Sequence, residues 1–293
     1  GFSNTTFYSD TNGHMLPMKC YEAYHDKTEK RVISLQQVTP RAAAPTIIPA
    51  NQTGAADLKI LLDALFNHPN TAPFISKQLI QRLVTSNPSP AYVARVAAVF
   101  ANNGAGVRGD LAFVFSAILM DDEARSPAGL TQAEFGKLRE PMVRFVQWGR
   151  TFALNSASGA WKIGDLSNAG SQLGQSPLRS PSVFNFFRPG YVPPSTSLTT
   201  GVVVPEFQLV TESSVGGYLN YMFSVLSSGL SSGDMVAPYA SELALVTDAT
   251  ALVKRLNLLL CAGQMSAPTQ TLIVTALNAT AVTASSTDSA KRD

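Results

Sequence analysis

The stretch Asp57–Leu83, DLKILLDALFNHPNTAPFISKQLIQRL, decides the fold. Leu58, Leu61, Leu62, Leu65 and Phe66 recur at three- and four-residue spacing, the period of a helix with one apolar face. His68-Pro69 ends that run, because proline has no amide to give the helix ladder and biases the residue before it toward extended backbone. Asn70 or Thr71 then caps a second helix, with Pro73 in its first turn and Phe74, Ile75, Leu79 and Leu83 on one face. Further on, Ser89-Pro90 opens a third helix (Val93, Val96, Ala97, Phe100) that Asn103-Gly104 closes, and Asp110 caps a fourth (Leu111, Phe115, Ile118, Leu119). Short helices on short links predict an antiparallel array.

Beyond it, Arg139-Glu140-Pro141 begins a longer helix carrying Met142, Phe145, Val146 and Phe152. Further helices are predicted from Pro205 to Thr211, Tyr218 to Leu226, Ala249 to Cys261 and Pro268 to Thr280, with Ser227–Gly233 (SSGLSSG) as a flexible joint. Upstream, Met18–Tyr24 and Arg31–Leu35 flank a polar run and predict a small β-hairpin, while 37–56 holds three prolines and no period and reads as a loop. The expected fold is mainly α: an array of short antiparallel helices, a small hairpin near the N-terminus and a long ordered aromatic loop. The expected organisation is hairpin and linker over 1–56, helical array over 57–155, aromatic loop over 156–204 and C-terminal helices over 205–293, as one continuous domain of a longer protein.

The loop is the most unusual part. Leu173–Pro194 reads LGQSPLRSPSVFNFFRPGYVPP, with three Phe and a Tyr between Phe184 and Tyr191. A segment this rich in Pro and Gly is neither helix nor central strand, yet aromatic side chains are costly to leave in water. Two uses are open. Phe184, Phe186, Phe187 and Tyr191 pack over the helices while Asn185 and Arg188 tie backbone groups. Alternatively, Asn185, Phe186, Phe187, Arg188 and Tyr191 form a binding surface for a polymer or a partner. Phe has no polar handle to turn toward water, which favours internal packing.

Composition narrows the classes. The apolar fraction of 45% supports a real core, whereas the charged fraction of 14% is well below the usual quarter. Thr, Ser, Ala and Asn fill the polar positions, as is commoner outside the cytoplasm. A net charge of +2 without a Lys/Arg-rich run excludes a phosphate-tracking surface, so no nucleic-acid partner is expected. No run of eighteen apolar residues exists to span a membrane. Cys20 and Cys261 are far apart in sequence, and a bridge between them and two buried thiols are both open readings. The chain starts at Gly1 and ends in a charged run, and both ends read as cuts through a longer protein.

Candidate chemistry is sparse. Of three histidines, His14, His25 and His68, the last two could join Asp26 and Glu140 in a metal site, but no pair has ligand spacing. The simpler reading gives Asp26 a turn and His68 a helix end. Arg139 and Glu140 could act as anion clamp and general base, or as helix cap and ion pair. No Gly-x-Ser-x-Gly elbow, Ser-x-x-Lys signature or phosphate-cradling glycine loop is present, and no cofactor is expected. Cys20 has no His at a motif spacing, so no reactive thiol is read there.

Several phrases together resemble the bacterial family known as domain of unknown function 1800 (DUF1800). They are His25-Asp26 followed by Lys30, His68-Pro69-Asn70-Thr71-Ala72 with Phe74-Ile75 and Lys77-Gln78-Leu79, and Gly109-Asp110-Leu111. After these come Asp122-Glu123-Ala124-Arg125, Lys137–Pro141, Pro181–Phe186 and Pro205-Glu206-Phe207, in order over 24–208. The resemblance implies a mostly helical protein exported to the periplasm or beyond, often encoded beside a sulfatase-like partner family. It also implies that the family's N-terminal part and last helix are missing here. No activity comes with it. The leading expectation is a non-catalytic structural, assembly or partner-binding component, working with another protein or by self-assembly. The alternatives are a metal-dependent or acid/base hydrolase using His25, Asp26, His68, Arg139 and Glu140, and a polymer-binding module built on the aromatic loop.

Overall fold

The computed structural model describes residues 20–32, 46–194, 201–280 and 282–287. The chain divides into two compact units, Gly1–Leu83 with Pro88–Arg125, and Val84–Asn87 with Ser126–Asp293.

In the first unit, strand β1 (Lys30–Val32) pairs antiparallel with β2 (Thr46–Ile48), matching Lys30 to Ile48 and Val32 to Thr46. The hairpin is present, but its strands differ from those expected. Tyr21–Tyr24 is no strand: Glu22–Tyr24 forms a 3-10 turn. The second strand comes from the proline-flanked stretch read as loop, because β1 supplies the ladder partner and Ile48 is buried. Helices α1 (Gly54–Asn67), α2 (Thr71–Leu83), α3 (Pro90–Ala101) and α4 (Leu111–Met120) follow, with a short α5 (Asp122–Arg125). Thr53, Ser89 and Asp110 cap α1, α3 and α4 by accepting from first-turn amides. Ile80, Tyr92, Val96, Val114 and Ile118 form the core among α2, α3 and α4. The buried Tyr92 hydroxyl donates to the Ile118 carbonyl (2.6 Å), and burial pushes its pKa up to about 12.

The second unit holds α6 (Pro141–Thr151), a ribbon of β3 (Asn155–Ser156) with β4 (Met235–Val236), α7 (Glu212–Ser228), α8 (Ala240–Leu243), α9 (Ala249–Cys261) and α10 (Ala267–Asn278). Its core gathers Phe145 and Trp148 of α6, Phe152 at that helix's C-cap, Leu166 and Leu173 of the loop, Val225 of α7, and Leu230 and Met235 around the ribbon. The segment expected to be helical from Pro205 to Thr211 is a 3-10 turn over Pro205–Leu209. Helix α7 starts later, at a reciprocal capping box in which Thr211 and Ser214 satisfy each other's amides. Gly217 lies where α7 meets the loop backbone: a Cβ there would sit 2.4 Å from the Ala169 carbonyl oxygen. Ser227–Gly233 is only partly a joint, because α7 runs through Ser228 and Leu230 exchanges backbone bonds with Met235. Among the described residues no helix is long and apolar enough to cross a membrane.

Candidate functional site

Two places concentrate polar chemistry, one in each unit. The first is at the start of α1. Asp57, in the helix's first turn and 7% exposed, receives His25 Nε2 and Lys30 Nζ on the same oxygen, Oδ2, each at 2.9 Å. Its other oxygen, Oδ1, is buried with no hydrogen-bond partner among the described residues. The Lys30 hydrogen bond, with His25 adding to it, holds the Asp57 carboxyl below the usual carboxylate range. Lys30 also donates to the backbone carbonyls of Asp26 and Thr28, which closes the turn before β1.

The acid that serves His25 is therefore Asp57 and not its neighbour Asp26. The Asp26 carboxylate accepts from the amide and hydroxyl of Thr28, the turn role expected of it, and this lowers its pKa. His68 caps α1, and its Nδ1 accepts from the Asn70 amide (3.1 Å), so it works within its own turn. His25 and His68 do not share a partner, and Glu140 belongs to the other unit. No group of three or more His, Cys, Asp or Glu among the described residues is placed to hold a metal ion. His14 lies outside the described residues. Cys20 and Cys261 are free thiols, not a bridge; Cys20 is exposed and Cys261 half-buried.

The Asp57 shift makes stability depend on acid. A carboxyl whose folded pKa is depressed contributes stability above its unfolded pKa, and loses it as pH falls through the folded one. Thermal melts of the first unit should therefore drop steeply below about pH 4. Asp57→Asn should be less stable near neutrality and show a shallower acid loss. Parallel acid slopes in the two proteins would show that Asp57 does not carry the effect.

The second place is a cleft of about 700 Å³ in the second unit. Trp148 of α6, Phe152 at its C-cap, Met222 of α7, Tyr239 and Leu243 at α8, and Leu256 of α9 make it mainly apolar. Lys137, Arg139, Arg144, Gln147 and Glu242 line it as well. Most of these polar groups are engaged. Lys137 pairs with the buried Glu206 (3.0 Å), and Glu242 pairs with Arg255 (2.6 Å). Arg139 donates to the Leu260 carbonyl and Gln147 to that of Leu259, so both close the C-terminal end of α9. Arg144 differs. Its guanidinium stacks 4.3 Å from the centre of the Tyr218 ring, and its buried Nε has no hydrogen-bond partner among the described residues. Tyr239 forms one wall in a left-handed conformation (φ 50°) and accepts from Trp148 Nε1 at 2.8 Å. A bulky residue held in that region is a local strain that recurs at binding sites.

The remaining expected residues are structural or peripheral. Glu140 stands at the N-cap of α6 without capping it directly. The buried Gln175 does so instead: its amide donates to Glu140 Oε2, and its oxygen accepts from the Met142 amide. In the aromatic loop, Phe187 is buried (1%), Phe186 and Tyr191 are half-buried, and Phe184 is 64% exposed. The loop thus packs through one ring and leaves another outside. Asn185 and Arg188 are both exposed; Asn185 turns the chain at φ 67°, and the Arg188 amide donates to Gln208. None of these six residues lines the cleft.

Asp57 and Arg144 escaped the sequence reading. In the sequence Asp57 marks only the start of a helical pattern, and Arg144 offers at most one side of a structural ion pair. What emerges is a mainly helical protein with an ionic knot at one helix start and an apolar, cation-bearing cleft. The chain belongs to the family described as protein of unknown function DUF1800, whose model matches residues 5–290. No curated protein and no solved structure matches the chain.

Proposed function

We propose that the second unit is a binding module whose cleft takes an apolar molecule bearing one anionic group, such as a medium-chain carboxylate. The observation that carries this reading is Arg144, a cation with a buried Nε that has no hydrogen-bond partner among the described residues, inside a mainly apolar cleft. The volume falls within the range of small-molecule sites, and apolar walls with few polar groups are their usual make-up. Arg139, which also lines the cleft, adds positive charge that favours an anion over a neutral chain.

Calorimetry with dodecanoate and with dodecanol tests it. Dodecanoate should bind and dodecanol should bind at least about tenfold more weakly, the value of one charge-assisted hydrogen bond. Arg144→Met should remove that preference. Equal binding of acid and alcohol, or no binding of either, would overturn the reading.

A protein partner is the second reading, favoured by one observation. Val215, Leu219, Phe223 and Leu226 form an exposed row along α7 at three- and four-residue spacing. Such a row suits docking to another helix, in line with an assembly role outside the cytoplasm. The low charge content supports that address.

A further inference from the structure

The thiol of Cys20, unread as reactive in sequence, lies beside the His25–Asp57 pair. A Cβ placed on Gly54, at the first position of α1, would sit 2.3 Å from Cys20 Sγ and 3.4 Å from His25 Nδ1. The thiol thus fills the place that a side chain at position 54 would take, with the ring nitrogen beside it. Asp57 decides which nitrogen faces it. An ionised carboxylate only accepts, so His25 must donate from Nε2, and in the neutral ring Nδ1 then carries the lone pair. Nucleophile, base and orienting acid follow one another as in a site that activates a thiol, with no hydrogen bond between Sγ and Nδ1 in this structure. Unliganded sites often hold such groups somewhat apart until a substrate arrives.

The surroundings select the reaction. Acyl transfer needs donors for a developing oxyanion. The Gly54 amide, beside the thiol, is already occupied by the Glu22 carboxylate (3.0 Å). Thiol–disulfide exchange needs only an accessible sulfur and a base, and Cys20 is exposed. Glu22 adds a negative charge that repels anionic disulfides.

We propose that Cys20 is a nucleophilic thiol that exchanges with small neutral disulfides, with His25 as its base and Asp57 as the residue that positions His25. His25 Nδ1 takes the thiol proton, and Sγ attacks one sulfur of the disulfide. An Sγ–S bond forms as the S–S bond breaks, and the departing sulfur leaves with the electron pair and receives the proton from His25. The product is a mixed disulfide on Cys20 plus one free thiol, so no outside oxidant is needed.

The test uses the whole chain carrying Cys261→Ala, which leaves Cys20 as its sole thiol, and 4,4′-dithiodipyridine as a neutral probe. Release of thiopyridone should be about tenfold or more faster than with N-acetylcysteine below neutral pH, the least expected of a general base. His25→Ala should fall to the free-thiol rate and recover with added imidazole. Asp57→Asn should move the pH profile of the rate, which a merely structural role would leave in place. An anionic aromatic disulfide should react more slowly, and Glu22→Gln should erase that difference. If Cys261→Ala does not fold, the fast phase of the unaltered chain must vanish in Cys20→Ser. A Cys20 rate equal to that of the free thiol, or unchanged by His25→Ala, would overturn the proposal.

Discussion

Replacing Glu206 with alanine should destabilise the second unit by about 3–5 kcal/mol, the cost of leaving one member of a buried ion pair behind. Glu206 is 2% exposed, and its Oε1 receives Lys137 Nζ at 3.0 Å; Lys137 is itself mostly buried. Ser86 Oγ reaches the other carboxylate oxygen at 3.5 Å. Removing the carboxylate strands an ammonium among apolar cleft residues, where neither water nor a second acid compensates it fully. Removing both charges together, as Lys137→Met with Glu206→Leu, should recover most of the loss, because the desolvation cost disappears with the attraction. Urea unfolding followed by Trp fluorescence reads the second unit, since Trp148 and Trp161 both lie in it. A loss below about 1 kcal/mol for Glu206→Ala would show that water screens the pair as it does at a surface.

Phe187→Ala should cost a similar amount, about 3–5 kcal/mol, for a different reason. Phe187 is 1% exposed, in a stretch with no helix or strand of its own. Its ring is the buried one of the FNFF stretch, and alanine would leave a cavity that neighbours on irregular backbone fill only in part. Phe184, three residues earlier, is 64% exposed, so Phe184→Ala should change stability by no more than about 0.5 kcal/mol. Thermal melting of the two variants, with limited proteolysis of the loop, separates them. Equal effects would mean that the loop is held by its turns, such as the Asn185 amide on the Ser182 carbonyl, and not by the buried ring.

The two phenylalanines illustrate what a sequence conceals. Nothing in FNFFRPGY ranks its rings, because loop backbone lacks the fixed period that assigns a face to each residue of a helix. The helices were legible for the opposite reason. Ser89 and Asp110 cap where they were expected, and α9 runs from Ala249 to Cys261 as its pattern predicts, since capping and amphipathicity are local properties. The start of α7 was missed because Gly216-Gly217 argues against a helix locally. Gly217 is tolerated because the backbone at Ala169 leaves no room for a side chain there. Strand β2 was missed because a three-residue strand exists only through its partner.

Function divides along the same line. His25, Asp26, His68, Arg139 and Glu140 were visible as polar residues at turns and helix ends, and turns and helix ends are where the structure uses most of them. Pairing His25 with Asp57 across 32 residues, and setting Cys20 against the bare backbone of Gly54, required the chain to fold back on itself. The cleft draws its lining from residues between Lys137 and Leu260, and Arg144 becomes unusual only once the groups around it have found other partners. The sequence alone determined the helices, most of their caps and the family, because these rest on contacts within a few residues. Tertiary structure decided which acid meets which base and which ring is buried, because those are contacts between residues far apart in the chain.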